Sequence, residues 1–413
     1  MLQRGRIFLA TPGPTNVPDR VLRAMHRAAE DFAAPAFSDV ARSCLSDLAR
    51  VFETEGQVFC FIGNGHAAWE ASLVNLLDPG DAVLLPVSGR FSQHWAEMAG
   101  KLDLDARWLE MDRRLPLDPA VVEAALRADT ERRIKAVMVV QTETATGVTS
   151  DMMAIRRAID AARHPALLVV DAIASLAAEP FAMDDWGIDC ALTASQKGLM
   201  LPPGLCFVAM NQRALDVAEA CRHPRRYFDI GFRRGNQTYQ WFHGTPPLQH
   251  IWGLRESLDM LFEEGLDAVI ARHQRLASAV RACVARWTES GALAFNATEP
   301  GSRSNAVTAV RVATGVDPDA MRRLARDRYQ TALGAGIGDL EGIAFRIGHL
   351  GDLNEPMILG TLAATELALR RSAVAFGEGG VAAAIASLAL DDAGVGVVSA
   401  ASSRPPLGGM TSS

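Results

Sequence analysis

A glycine-rich turn near residue 63 has the composition of an anion-binding loop. The apolar segment 57–62 predicts a buried strand, and Gly63-Asn64-Gly65-His66-Ala67-Ala68 follows it and opens a predicted helix. Glycine permits close backbone approach, and a helix N-terminus presents free N–H groups to a phosphate. The turn also matches the loose dinucleotide pattern G-x-G-x-x-A, with Asp81 near the place of a ribose-binding acid. By itself, it is equally compatible with a tight strand–helix connection.

Two ionisable residues follow other predicted strands. Asp171 ends the apolar run 166–170, where a carboxylate is costly unless it meets a cation or caps a helix. Lys197 follows strand 190–194 and is one of only three lysines in the chain. Lys101 ends a predicted helix and Lys135 enters a strand beside arginines, so both have ordinary explanations. Burial of Lys197 would lower its pKa from about 10.4 towards the neutral amine that forms a Schiff base.

These three features, in this order, predict a pyridoxal 5′-phosphate site. The turn would hold the phosphate, and Asp171 would pair with the protonated ring nitrogen. Lys197 would bind the cofactor covalently and then move the Cα proton of an amino acid substrate. Asp171 and Lys197 are therefore the predicted catalytic residues.

The elements that must position these residues alternate between strand and helix for about 200 residues. The strands are continuous apolar runs, which is typical of an α/β fold with a mainly parallel sheet covered by helices on both faces. Seven strands are predicted in it, and Ser150 is the expected N-cap of the helix over 151–163. We divide the chain into an N-terminal arm (1–16), a large cofactor-binding domain (17–265), a connector helix with a smaller C-terminal α+β domain (266–390) and a disordered tail (391–413).

Composition narrows the class of protein. The chain has 413 residues, 49% of them hydrophobic, and a net charge of −7, so it is globular and has no global basic surface for nucleic acid. No apolar run is long enough to span a membrane, and the six cysteines form no C-x-x-C pair that would suggest a metal site. Buried free thiols at Cys60, Cys190 and Cys206 fit a cytoplasmic protein. A local arginine cluster is interpreted as a solvated loop or an interface rim; it comprises Arg222, Arg225, Arg226, Arg233 and Arg234.

At this point, the sequence resembles the class V, fold-type-I aminotransferases, most closely the serine–glyoxylate and alanine–glyoxylate group. The resemblance covers about residues 8–390 and rests on motifs in a fixed order. These are T-P-G-P-T-N-V-P (11–18), E-T-A-T-G-V (143–148), H-P-A-L-L-V-V-D (164–171), M-D-D-W-G-I-D (183–189), S-Q-K-G-L-M-L-P-P-G (195–204) and F-R-I-G-H-L-G-D (345–352). The resemblance implies a homodimer with the site at the subunit interface.

The same resemblance assigns roles to particular residues. Gly65, His66 and Ala67 match the phosphate loop, with Gln196 beside it and Lys197 as the cofactor lysine. The remaining matches are Phe91 stacking on the ring, Ile173 beneath it, Thr144 near its phenolic oxygen, Thr245 reaching the neighbouring subunit's phosphate, Arg346 clamping the substrate carboxylate, and Asn16 as a further substrate contact.

Two segments depart from the family pattern, which puts the substrates in question. D-H-R-S-P is replaced by residues 31–35, so that Phe32 and Ala33 stand where a His and an Arg are usual. Y-P-Y-T-P-P is replaced by residues 242–247, with Phe242 and Gly244 in place of the tyrosines. The expected reaction is amino transfer from serine, alanine or a similar amino acid to a 2-oxo acid, by resemblance glyoxylate. The alternatives are lyase or desulfurase chemistry on the same fold, a dinucleotide-dependent oxidoreductase, and a non-catalytic relative.

Overall fold

The computed structural model describes residues 6–391 and contains two main sheets. The strands are β1 (Phe8–Ala10), β2 (Gln57–Gly63), β3 (Ala82–Pro86), β4 (Asp105–Leu109), β5 (Ile134–Val140), β6 (Thr142–Glu143), β7 (Val148–Thr149), β8 (Leu167–Asp171), β9 (Cys190–Ala194), β10 (Gly204–Met210), β11 (Leu293–Phe295), β12 (Val307–Val312), β13 (Thr331–Ala335) and β14 (Ala344–Gly348). The helices are α1 (Asp19–Met25), α2 (Pro35–Phe52), α3 (Gly65–Leu76), α4 (Arg90–Lys101), α5 (Pro119–Ala128), α6 (Met152–Ala161), α7 (Gln212–Ala220), α8 (Ile230–Arg233), α9 (Thr238–Phe242), α10 (Leu248–Glu264), α11 (Leu266–Trp287), α12 (Pro318–Tyr329), α13 (Glu355–Arg371) and α14 (Gly380–Asp391).

The larger sheet has seven strands in the order β2-β10-β9-β8-β5-β3-β4. β10 is antiparallel to both of its neighbours, and the strands from β9 to β4 pair in parallel. Every residue of β8 and β9 is buried, as expected for strands covered on both faces. The predicted mainly parallel sheet is therefore confirmed, and its strands deliver Gly63, Val140, Asp171 and Ala194 to one edge.

Hydrophobic clusters cover both faces of this sheet. One contains Phe37 of α2, Ile155 of α6 and Leu254 of α10, together with side chains from the strands. The other contains Trp69 of α3 and Trp95 of α4. Since each cluster seals one face, the open positions lie at the strand ends, where the loops carry polar residues.

The smaller sheet has the order β1-β13-β14-β12-β11, and its core includes side chains from α11, α12 and α13. β1 comes from the predicted N-terminal arm and pairs in parallel with β13, so that Phe8 lies opposite Thr331. The other pairs are antiparallel. The sheet confirms the predicted C-terminal α+β unit and adds an N-terminal strand to it, while the domain boundaries stay a prediction.

Two local predictions are corrected by the structure. Asp151, and not Ser150, caps α6, because its carboxylate accepts the N–H of Ala154 at 2.9 Å; the Ser150 hydroxyl instead accepts the N–H of Leu117 at 3.0 Å. The arginine cluster is not uniformly solvated. Arg233 is only 3% exposed and donates to the carbonyl of Cys60 at 2.8 Å, because a buried guanidinium must find acceptors.

Three further expectations concern the cysteines, the membrane and the tail. Cys60, Cys190 and Cys206 are buried free thiols, which confirms their prediction. No helix within residues 6–391 combines the length and apolar character that a membrane span requires. The predicted disordered tail, apart from Asp391 at the end of α14, lies outside the described residues.

Candidate active site

A cavity of about 310 Å³ opens at the carboxyl edge of the large sheet; we call it the main cavity. Its walls come from the N-terminal arm, the turn after β2, the start of α4 and the loops after β5, β8 and β9. The lining residues are Gly13, Pro14, Asn64, Gly65, His66, Trp69, Phe91, Val140, Thr142, Thr144, Asp171, Ile173, Ala174, Gln196, Lys197 and Pro203. The three features that the sequence placed after separate strands therefore meet in one place.

Lys197 lies in the tight loop after β9, and its side chain is buried. Its Nζ donates a hydrogen bond to the carbonyl of Pro12 in the N-terminal arm. Burial lowers the pKa of Lys197 to about 8; the guanidinium of Arg346 also lowers it, while the carboxylates of Asp171 and Glu143 raise it. A substantial fraction of the amine is therefore neutral, and thus nucleophilic, slightly above neutral pH.

Asp171 is the last residue of β8 and is 4% exposed. Its Oδ2 accepts the indole N–H of Trp69 at 2.7 Å, and its Oδ1 accepts the backbone N–H of Ile173 at 2.7 Å. Burial raises the pKa of the carboxyl to about 7, against the lowering effect of these two donors. The two donors fix the plane of the carboxyl group, and a cation placed beside it would recover the desolvation cost.

The turn after β2 has close contacts that exclude larger residues. A Cβ at Gly65 would lie 2.4 Å from Cδ1 of Ile173. Asn64 caps α3, since its side chain accepts the N–H of His66 at 3.1 Å. The N–H of Ala67 is used within the turn, because it donates to the carbonyl of Asn64 at 2.9 Å. Ala67 does not line the main cavity, which leaves its predicted phosphate contact without support from this geometry.

Aromatic rings form one wall of the main cavity. Trp69 lies in an edge contact with Phe91, with ring centroids 6.3 Å apart, and stacks on Trp95 on its other side. The ring of His66 lies 4.5 Å from that of Trp69. Burial, together with the neighbouring His94, lowers the pKa of His66, which favours the neutral imidazole. This wall is suited to a flat ring ligand.

Glu143 is a buried carboxylate that holds the start of α4. Its Oε2 accepts the N–H groups of Phe91 and Ser92 at 3.0 and 3.2 Å, and its Oε1 accepts the N–H of Ala145 at 3.0 Å. Burial raises the pKa of Glu143, while these donors and Arg346 lower it. Glu143 thus links the loop after β6 to the backbone of Phe91.

Arg346 lies in β14, directly behind the main cavity wall. Its Nη1 donates to the carbonyl of Thr144 at 2.9 Å and its Nε to the carbonyl of Ala335 at 2.6 Å. Burial lowers its pKa to about 10, so the guanidinium stays positive at neutral pH. Its Nη2 has no hydrogen bond to any residue in 6–391, which leaves donors for a carboxylate.

The structure brings most of the predicted site residues together. Eight line the main cavity: Gly65, His66, Phe91, Thr144, Asp171, Ile173, Gln196 and Lys197. Ala67, Arg346, Thr245 and Asn16 do not line it. Thr245 is exposed, and the Nδ2 of Asn16 donates to the carbonyl of Leu9 at 3.3 Å.

Other residues of the site were missed by sequence reasoning. Trp69 follows His66 by three positions in α3, so helical spacing could have placed it on the same face. Gly13 lies within the T-P-G-P-T motif, which indicated an arm but not its contact with Lys197. Nothing in the spacing pointed to Glu143, whose partners in α4 lie about fifty positions earlier.

The residues present fit a pyridoxal phosphate. The side-chain Oε1 of Gln196 is buried without a hydrogen-bond partner in the described part of the chain, so this amide retains capacity for a bound group. A Cβ at position 65 would collide with Ile173, so the turn can lie this close to Ile173 only because residue 65 is glycine. Asp171, with its raised pKa, suits a protonated ring nitrogen, and Lys197 supplies the amine.

Comparison with known proteins agrees with this site. The chain belongs to the aminotransferase class-V family, whose pattern matches residues 7–337. It is therefore an aminotransferase, in a family that implies dependence on pyridoxal phosphate.

Individual relatives cover nearly the whole chain. It is 46% identical to a serine–glyoxylate aminotransferase of Methylorubrum extorquens, over 92% of this chain and 95% of that one. It is 40% identical to an L-aspartate–glyoxylate aminotransferase of Paracoccus denitrificans, over 89% and 92% respectively. Among solved structures, pyridoxamine–pyruvate aminotransferase from Mesorhizobium loti superposes with a TM-score of 0.86 at 28% identity, covering 95% of this chain and 99% of that one.

Proposed function

We propose that this chain uses pyridoxal 5′-phosphate to move the amino group of a small amino acid, serine first among the candidates, to glyoxylate. The observation that carries the proposal is the pairing of Lys197 and Asp171 in one cavity, each with a pKa displaced towards neutrality by burial. Relatives named for serine and for aspartate as partners of glyoxylate support this substrate class.

Each residue has a task that follows from its surroundings. When bound, the cofactor supplies an electron-accepting ring that stabilises the charge left on Cα when its proton is removed. Lys197 would take the Cα proton from the amino donor on its neutral Nζ and, in the second half-reaction, deliver a proton to the Cα of the amino acid that is formed. Asp171, held by Trp69 and the N–H of Ile173, keeps a proton on the ring nitrogen. Gly65, His66 and Gln196 would hold the phosphate, as the resemblance implies.

Substrate binding is assigned to Arg346 and Asn16. Arg346 is fixed by two backbone carbonyls and offers its remaining N–H groups to the substrate carboxylate, a geometry suited to bidentate pairing. Thr144, whose carbonyl accepts one of these bonds, lines the main cavity and is assigned to the cofactor by the resemblance. The amide of Asn16 is bonded to Leu9 and would have to release that contact in order to bind substrate.

The family departures affect the substrates rather than the general chemistry. Phe242 is 1% exposed and belongs to the hydrophobic cluster around α2 and α10. A phenyl ring buried in this way supplies no hydroxyl where the resemblance expects a tyrosine. Phe32 packs on the same cluster. The loss of these polar groups favours a substrate that is either larger or less acidic.

We also propose that the chain acts as a homodimer in the cytoplasm. Thr245 is exposed in the segment between α9 and α10, away from the main cavity of its own chain. This position is compatible with a contact to the phosphate of a neighbouring subunit, as the resemblance implies. Sedimentation of the purified chain at twice the monomer mass would support the dimer.

The alternatives have less support. A desulfurase needs a reactive cysteine at its site, and no cysteine lines the main cavity. The half-buried Cys221 bonds to the carbonyls of Val74 and Leu77, and burial raises its pKa. A dinucleotide-dependent oxidoreductase gives Lys197 no function and conflicts with the family match.

The test is a spectral titration of the purified chain with added pyridoxal phosphate. We expect a visible absorbance band that serine or alanine bleaches and that glyoxylate restores. Lys197→Ala should abolish the band and turnover, whereas Lys135→Ala, at an exposed lysine, should retain both. A chain that ignores added pyridoxal phosphate would contradict the cofactor assignment, and a band that no amino acid bleaches would contradict amino transfer.

A further inference from the structure

A second cavity, of about 410 Å³, lies where loops of the two sheets meet; we call it the junction cavity. It shares no lining residue with the main cavity, although Arg90 directly precedes Phe91 and Ala145 directly follows Thr144. The junction cavity is lined by Gly89, Arg90, Met111, Asp112, Arg113, Arg114, Ala145, Thr146, Asn296, Arg311, Ile337, Asp339 and Leu340.

Positive charge dominates this lining. Four arginines face two aspartates, in a chain whose overall charge is −7. Both aspartates already have partners. Asp339 forms an ion pair with Arg113 at 2.5 Å, and Asp112 accepts the backbone N–H of Arg114 at 2.9 Å. The lining therefore carries two positive charges more than its own carboxylates neutralise.

Three of the arginines lack a carboxylate partner. Within residues 6–391, no carboxylate oxygen lies within 4 Å of the guanidinium of Arg90, Arg114 or Arg311, whereas Arg113 has its aspartate. Among residues 6–391, the guanidinium groups of Arg114 and Arg311 hydrogen-bond only to Asn296, at its carbonyl (3.2 Å) and its Oδ1 (3.4 Å) respectively. Each guanidinium keeps N–H donors that could bind an anion.

We propose that the junction cavity binds a small dianion, such as a dicarboxylate or a phosphate. Two negative charges would neutralise the excess positive charge, and guanidinium groups recognise carboxylate and phosphate oxygens in a bidentate manner. Since the junction cavity shares no lining residue with the main cavity, this anion is distinct from the substrate.

Asn296 connects this anion site with the loop that lines the main cavity. Its Nδ2 donates to the carbonyl of Thr146 at 2.9 Å, two residues after Thr144. Asn296 itself is 1% exposed, so it cannot turn towards solvent without losing this bond. An anion that draws Arg114 and Arg311 away from Asn296 would therefore act on the same loop.

The experiment is calorimetric titration of the chain loaded with pyridoxal phosphate, using succinate, inorganic phosphate and acetate as probes. We expect saturable binding of one succinate or one phosphate per chain, weaker binding of acetate, and weaker binding of all three at high salt. Comparison of the affinities for succinate and for phosphate determines whether the cavity prefers a dicarboxylate or a phosphate. If neither dianion binds saturably, the proposal is overturned.

Variants assign the binding to this cavity. In the double variant Arg90→Gln/Arg311→Gln, affinity should fall by at least about tenfold. The double variant Arg133→Gln/Arg222→Gln removes the same charge from exposed positions and should bind as the unmodified chain does. Arg346→Gln should also retain binding. Loss of binding in Arg346→Gln, with retention in Arg90→Gln/Arg311→Gln, would place the anion in the main cavity and overturn the proposal. If the Arg90→Gln/Arg311→Gln variant fails to fold, Arg311→Gln alone provides the same comparison.

Discussion

Gly13 allows the N-terminal arm to lie directly over the Lys197 side chain. A Cβ at this position would lie 2.4 Å from the Nζ of Lys197, and the φ angle of Gly13 is +122°. Both the contact and the backbone conformation therefore select glycine. The arm also accepts a hydrogen bond from Nζ at the carbonyl of Pro12, so the position of the lysine depends on a segment far away in sequence.

Gly13→Ala should accordingly impair cofactor capture. We expect at least about a tenfold slower reaction with pyridoxal phosphate, because the methyl group displaces Nζ and the backbone is strained. The rate at which the visible band appears is the measurement. Gly80→Ala is the matched control, since Gly80 also has a positive φ (+89°) but no atom within 4 Å of the position that a Cβ would take. Equal effects of the two substitutions would show that backbone strain alone matters.

Trp69→Phe tests the hydrogen bond to Asp171. Without the indole donor, the pKa of Asp171 should rise above its present value of about 7, by about one unit. Proton binding by the folded chain near pH 8 should then increase, and the pH profile of kcat should shift to higher pH. Trp252→Phe removes an indole bond to Glu30 on the surface and should leave the profile unchanged. An unchanged profile in Trp69→Phe would contradict the assigned role.

The predictability of these residues differs for a physical reason. Lys197 and Asp171 were identifiable because each ends an apolar run, and strand ends on one side of a parallel sheet must meet. The contacts made by Gly13 and Trp69 depend on how separate elements pack, which local sequence does not encode. Arg346 was predicted from the resemblance, and its position behind the wall came only from the structure.

At the scale of elements, the start of α4 is fixed by a side chain from strand β6. The N-cap, Gly89, has no side chain of its own, and Glu143 supplies the missing acceptors. A Cβ at Gly89 would lie 2.5 Å from Cγ of Glu143, so the glycine makes room for the carboxylate. Glu143 therefore links the start of α4, including Phe91, to the loop after β6 through hydrogen bonds.

Glu143→Ala should lower both stability and cofactor affinity. Loss of the cap should cost about 1–2 kcal/mol of unfolding free energy, and freeing Phe91 should weaken cofactor binding several-fold. Asp118→Ala removes a comparable cap from α5, where Asp118 accepts the N–H of Ala120 at 2.9 Å. This control should lose stability without losing affinity. Urea unfolding and fluorescence titration measure the two effects, and similar affinity losses in both variants would reject the link to Phe91.

Most strands of the large sheet were predictable from continuous apolar runs. The short strands β6, β7 and β11 were not, because they contain only two or three residues and depend on partners for their definition. β13 is longer, but its sequence T-A-L-G-A is not a continuous apolar run. β1 has only three residues, so its segment was interpreted as part of an extended arm. Its sequence contains F-L-A, which becomes a strand only because β13 lies alongside it.

At the scale of the whole molecule, a buried carboxylate connects the two sheets. Glu179 follows β8, and its Oε1 accepts the hydroxyls of Thr149 and Ser304 at 3.2 and 3.0 Å and the N–H of Asn305 at 2.5 Å. Ser304 and Asn305 shortly precede β12. Burial raises the pKa of Glu179 to about 7, more than the donors and Arg281 lower it. The contact that Glu179 makes between the two sheets is therefore sensitive to pH.

Glu179→Gln should change how stability depends on pH. A raised folded-state pKa means that the folded chain binds the proton of Glu179 more tightly than the unfolded chain does. The resulting stabilisation of the folded chain is fully present below about pH 4.5 and is lost as the pH rises through about 7. Glutamine stays neutral and keeps the accepting Oε1. The unfolding free energy of the variant minus that of the unmodified chain should therefore rise by about 2 kcal/mol from pH 5 to pH 8.

Urea unfolding at the two pH values measures this difference. Glu341→Gln provides the same substitution at an exposed position and should not change the difference between the two pH values. A Glu179→Gln variant whose stability follows the pH in the same way as that of the unmodified chain would contradict the prediction.

The pairing of β1 with β13 also has a consequence for synthesis on the ribosome. Phe8 lies opposite Thr331, so the first strand to emerge waits for a partner made more than 300 residues later. The large sheet can form in the meantime, since its strands run from Gln57 to Met210. During that interval, β1 has no strand beside it, whereas the arm that carries Pro12 and Gly13 can already be held by Thr15, which donates hydrogen bonds to the carbonyls of Gln196 and Lys197. A nascent chain would therefore place the arm over Lys197 first and pair β1 only after most of its residues have been translated.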